Sequence, residues 1–71
     1  MTENEQRLLR ALAWMCEQYI GIYQTDFLDH ECMSAGEGAV AVLADYGLVE
    51  VTSLREAKWT DAGKALLNRT A

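Results

Sequence analysis

Seventy-one residues with a net charge of −5, 51% apolar side chains and no proline describe one small acidic domain, too rich in apolar clusters for a disordered tail. No apolar run approaches the roughly 18 residues of a membrane span, and the acidic start at Glu3 and Glu5 is opposite in sign to the head of a secretory signal, so cytoplasm is the expected address. A chain this short buries only about 60% of the surface its unfolded form exposes, so a stability of a few kcal/mol, or one shared with a partner, is expected.

Thr2 and Glu5 have the spacing of a capping box. Behind them Leu8, Leu9, Leu12, Met15, Cys16, Tyr19 and Ile20 recur at three- and four-residue steps, which predicts a first helix over about residues 3 to 20 with its apolar arc centred near Leu12. Gly21 breaks the period, and Ile22, Tyr23 and Gln24 form a short β-prone stretch. Thr25 and Asp26 offer a cap for a short second helix over Phe27 to Cys32. Ser34 with Glu37 makes another capping box and opens a third helix, which ends at Tyr46 because Gly47 can take the left-handed position and Leu48 supplies the apolar residue after it. Leu48 to Thr52 and Ala57 to Thr60 read as a hairpin around Ser53 to Glu56, and Thr60 caps a last helix. The expected class is α+β over residues 1–71: helix, short strand, helix, helix, hairpin, helix.

The run Leu43-Ala44-Asp45-Tyr46-Gly47-Leu48-Val49-Glu50, followed by a hairpin and by Lys58-Trp59-Thr60-Asp61-Ala62-Gly63-Lys64-Ala65-Leu66-Leu67, resembles the second half of bacterial winged-helix regulators of the multiple-antibiotic-resistance and phenolic-acid-repressor types. The resemblance covers residues 34–69 and implies a winged-helix fold in which the third helix enters the major groove and the hairpin wing touches the adjacent backbone. It also implies a buried Trp59, placed just before the capping threonine.

The charge map does not suit that DNA-binding role. Residues 21 to 50 hold Asp26, Asp29, Glu31, Glu37, Asp45 and Glu50 with no lysine or arginine, and these six carboxylates are expected to form one negative surface over the second and third helices. On the third helix the period buries Ala35, Ala39, Val42, Leu43 and Tyr46, leaving Glu37, Gly38, Ala41, Ala44 and Asp45 outward. A groove reader needs arginine, lysine, asparagine or glutamine on that side. Only Arg55 and Lys58 in the wing offer phosphate contacts. The small side chains of Gly38 and Ala41 would instead let a partner approach closely while Glu37 and Asp45 meet its basic groups, although a merely solvated face has the same composition.

Trp14 projects from the side of the first helix opposite its apolar arc, among Arg7, Arg10, Glu17 and Gln18. An exposed indole beside arginines is the composition of an interface anchor, with Arg10 one turn away and able to lie over the ring. The competing reading folds another segment over Trp14. Cys16 and Cys32 match no metal or redox spacing and read as reduced, mostly buried thiols, and His30 reads as a solvated helical residue. No nucleophile has a base beside it in a recognisable motif, and Gly36 and Gly38 lack the preceding strand and the lysine of a phosphate loop. Neither catalysis, cofactor nor metal is expected.

The function these features favour is a non-enzymatic protein-binding module, an inhibitor or adaptor docking on a basic, nucleic-acid-binding surface of a partner. Its candidate contacts are Trp14, Arg7, Arg10, Gln18, Glu37, Ala41 and Asp45. In size and charge the chain resembles small phage-encoded inhibitors of host defence or transcription machinery, anti-CRISPR proteins included. The alternative is a DNA-binding transcriptional regulator acting as a dimer, and a homodimer through the first helix also stays open.

Overall fold

A computed structural model describes residues 1–67. Asn68 and Arg69, where the resemblance ends, lie outside the described residues. In chain order the elements are α1 (Glu3–Ile20), β1 (Phe27–Asp29), α2 (Gly36–Asp45), β2 (Val49–Val51), β3 (Glu56–Trp59) and α3 (Asp61–Leu67). The class is α+β: three helices and one antiparallel sheet in the order β1-β3-β2.

Helix α1 starts where the capping box places it. The Thr2 hydroxyl accepts from the Glu5 amide at 3.0 Å and the Glu5 carboxylate accepts from the Thr2 amide at 3.2 Å, so two amides that the helix leaves unpaired are satisfied. The end of α2 also follows the sequence. Gly47 takes φ +72°, its amide donates to the Ala44 carbonyl and the Leu48 amide to the Leu43 carbonyl, which closes the helix and turns the chain into β2. The Thr60 hydroxyl then accepts from the Gly63 amide at 3.1 Å and donates to the Gly47 carbonyl at 2.7 Å, fastening the start of α3 to the end of α2.

The segment between α1 and α2 departs from expectation. No strand forms over Ile22 to Gln24 and no helix over Phe27 to Cys32. Residues 22 to 25 make a turn with Gln24 at φ +60°, and Phe27–Asp29 is the strand β1. Thr25, expected to cap a helix, donates its hydroxyl hydrogen to the Ile22 carbonyl and accepts from the Phe27 amide. A hydroxyl that can satisfy an amide two residues on serves a turn as well as a cap, and pairing with β3 decides between them. The Asp29 carboxylate accepts from the Glu31 amide and ends the strand. Nor does Ser34 cap α2: the N-cap is Ala35, without a side-chain hydrogen bond.

Leu9, Ala13, Cys16 and Ile20 of α1, Val40 and Leu43 of α2, and Leu28, Val49, Ala57 and Trp59 of the sheet form the core, completed by Leu48 and Leu67. Across the sheet Leu28 stands opposite Ala57 and Val49 opposite Trp59, so the alternation of each strand turns these residues inward together. Trp59 is buried, as the resemblance implies. Gly63 lets α3 approach, since a Cβ there would run into the Leu48 carbonyl and reach within 2.8 Å of the Trp59 ring.

Both helical stripes are rotated from the expected ones. On α1 the buried line runs through Leu9, Ala13, Cys16 and Ile20, roughly 70° from Leu12 at about 100° per residue, leaving Leu8, Met15 and Tyr19 exposed. On α2 the buried line is Gly36, Val40 and Leu43, while Val42 and Tyr46 are exposed and Ala44, expected outward, packs against the core. In each case the apolar arc is wider than the surface available to cover it, and the neighbouring elements choose which part is covered.

Candidate functional site

The structure sorts the sequence-derived contact residues onto two separate surfaces. The first surrounds Trp14, whose ring is 55% exposed and stands between two open hollows, one lined by Arg7, Arg10 and Ala11 and the other by Glu17, Gln18 and Leu67. Arg7, Arg10, Trp14 and Gln18 therefore do come together. Part of this group also belongs to the fold. The Trp14 indole donates to the Leu67 carbonyl and the Arg10 guanidinium to the Leu66 carbonyl, each at 3.1 Å. These are carbonyls of the last described turn of α3, and a cation suits the carbonyl side of a helix dipole. Arg10 is thus turned to a backbone oxygen; among the described residues the cation over a ring is Lys58, 5.9 Å from the Phe27 centroid.

The second surface is the outward side of α2, where Glu37, Gly38, Ala41 and Asp45 are all exposed. Among the described residues neither Glu37 nor Asp45 is in an ion pair. The wider acidic surface does not form as expected, because its second helix is absent and two of its members are ion-paired. Asp26 meets Lys64 at 2.9 Å and Asp29 meets Arg55 at 3.0 Å. Arg55 donates through Nε to the same Asp29 oxygen, which draws the guanidinium back onto β1. Lys58 faces Glu50 and Phe27 across the strands. The two wing cations assigned to phosphates are thus placed against groups of the chain itself.

Other titratable groups are accounted for by packing. His30 is buried beneath the hairpin turn, not solvated: its amide donates to the Arg55 carbonyl, its Nε2 lies 3.4 Å from the Ser53 carbonyl, and its Nδ1 has no hydrogen-bond partner among the described residues. The position follows from the strand that replaces the expected helix. Cys16 is buried, which pushes its thiol up from its ordinary value, whereas Cys32 is exposed, contrary to the expectation of two buried thiols. Burial of that kind makes a thiol a poor nucleophile. Bonds from the Thr2 amide and the Tyr46 hydroxyl hold the Glu5 carboxyl below its usual value, and the same bond to Glu5 raises the Tyr46 phenol. Tyr46 donates to Glu5 at 2.9 Å, tying the last turn of α2 to the first turn of α1. An open hollow of about 610 Å³ lies along the turn from Gly21 to Phe27.

No group of three or more histidine, cysteine or carboxylate side chains among the described residues is placed to hold a metal ion, and no described helix is long and apolar enough to cross a membrane. Compared with protein-family models, curated proteins and solved structures, the chain matches none.

Proposed function

We propose that the chain is a non-enzymatic protein-binding module on a winged-helix scaffold, an inhibitor or adaptor that docks on a basic, nucleic-acid-binding surface of its partner. The scaffold reading is supported by the sheet order β1-β3-β2, in which the first strand pairs with the second strand of the hairpin, and by the succession of α2, hairpin and α3; the helix expected between β1 and α2 is absent. The observation that carries the docking reading is the outward side of α2. Glu37 and Asp45 are exposed there beside Gly38 and Ala41, a surface that repels phosphate, admits close approach and attracts basic groups.

Two further features argue against DNA reading. A helix-turn-helix reader lays a preceding helix across the backbone, and here that segment is a turn and a strand. Of the two wing cations that would contact phosphates, Arg55 is paired with Asp29, and Lys58 stands over the Phe27 ring and opposite Glu50. Capture from a host lysate by the tagged chain is expected to yield a basic partner that the Glu37→Lys variant does not retain. A parent chain that instead shifts random duplex DNA at low salt, with affinity falling steeply as salt rises, refutes the reading.

A further inference from the structure

The segment between Ile20 and Gly36 contains no helix, and the seam between α1 and α2 lies open to solvent. On its α1 side Leu8, Met15 and Tyr19 are 71, 56 and 62% exposed. With half-buried Leu12 they recur at four, three and four residues, which aligns them on one face. On the α2 side Ala35, Ala39, Val42 and Tyr46 repeat the same spacing, preceded by Met33. The helices run side by side in opposite directions. Tyr46 meets Glu5 at one end of the seam, and at the other a groove of about 110 Å³ separates Met15 and Tyr19 from Met33, Ala35 and Ala39.

We propose that this face is the contact between two copies of the chain, related by a two-fold axis parallel to the helices, so that α1 of each copy lies across α2 of the other. Three properties of the face select a second copy. The first is area: Leu8, Met15, Tyr19, Met33, Val42 and Tyr46, each at least 42% exposed, together present on the order of 600 Å². That is beyond the few hundred Å² monomers usually leave open and, with the alanines between them, close to the roughly 800 Å² a stable interface takes from each side. The second is shape. The α1 stripe carries the large side chains and the middle of the α2 stripe the small ones, with the groove beside them, so a two-fold sets the ridge of each copy over the hollow of the other.

The third is charge. Arg7 stands beside Leu8 at the edge of the α1 stripe, Asp45 is exposed next to Tyr46 at the end of the α2 stripe, and the bond between Glu5 and Tyr46 puts both at the same end of the seam. The two-fold therefore brings Arg7 of each copy to Asp45 of the other. The stripes themselves hold no lysine or arginine, and the carboxylate at their end, Glu5, is engaged by Thr2 and Tyr46. The net charge of −5 per copy opposes association, but at physiological ionic strength charges farther apart than about 8 Å are largely screened, which leaves the contact face decisive.

Sedimentation equilibrium of the full chain tests this. The parent is expected to approach twice the 7.9 kDa chain mass at high micromolar concentration. Met15→Glu, at an exposed position, is expected to weaken association by about thirtyfold or more with an unchanged far-ultraviolet spectrum. Arg7→Glu should weaken the dimer and Asp45→Arg in the same chain restore it, a rescue that loss of folding does not produce. A parent that stays monomeric, or a dimer indifferent to Met15→Glu and to the charge exchange, overturns the proposal. So does a monomeric parent that loses a foreign partner through Met15→Glu, which would assign the face to that partner.

Discussion

Replacing Gly63 by alanine sets two opposing effects on one residue. Alanine is favoured over glycine within a helix by about 1 kcal/mol, so α3 taken alone would gain. The tertiary structure opposes it, because the new methyl would run into the Leu48 carbonyl and reach within 2.8 Å of the buried Trp59 ring. Neither neighbour can give way cheaply. The Leu48 carbonyl accepts from the Thr60 amide at 3.1 Å, and the Trp59 side chain is 3% exposed within the core. Overpacking against fixed neighbours costs about 3 kcal/mol, so the net loss is about 2 kcal/mol. For a domain of this size that lowers the melting temperature by about 8 to 16 °C. Gly38→Ala is the internal control, since a Cβ there meets nothing within 4 Å, and it should raise the melting temperature by up to about 8 °C. Thermal unfolding followed by circular dichroism reads both. If Gly63→Ala melts at or above the parent, α3 does not lie against Leu48 and Trp59 as described.

Trp59→Ala should remove about half of the stability and lower the melting temperature by more than about 12 °C. Truncating a buried tryptophan costs about 3 to 5 kcal/mol against a total of about 4 to 10 kcal/mol for a chain this long, and a cooperative melt near that of the parent would contradict the core assignment. Acrylamide should quench Trp14 and spare Trp59, as Trp14→Phe and Trp59→Phe variants report separately, because the two rings are 55 and 3% exposed; equal quenching would refute the assignment. Lowering the pH should loosen the start of α1. The folded Glu5 carboxyl lies below its ordinary value of 4.5, so its bonds to Thr2 and Tyr46 add stability above that value and lose it as the pH falls through the folded pKa. Glu5→Gln should flatten that part of the melting profile, and a profile unchanged by the substitution would show that the Glu5 bonds contribute nothing.

Where a signal is local, the sequence was sufficient. Thr2 with Glu5 places the start of α1, Gly47 the end of α2 and Thr60 the start of α3, because each satisfies backbone groups within a few residues of itself. The exposed Glu37, Gly38, Ala41 and Asp45 were legible for a related reason: they lie far enough around the helix from the apolar residues that a modest rotation leaves them outside. The remainder depended on partners distant in the chain. Phe27–Asp29 becomes a strand through β3, about thirty residues later, while Thr25 satisfies a turn with the same hydroxyl that suggested a cap. Burial of His30 follows from that strand and from the hairpin turn above it. Trp14 and Arg10 find their acceptors on α3, more than fifty residues away, a pairing no periodicity contains. Periodicity establishes that α1 and α2 each carry an apolar arc. Which edge of the arc is buried and which is left as an open face is decided by the elements packed against it, since apolar burial rewards area and not direction.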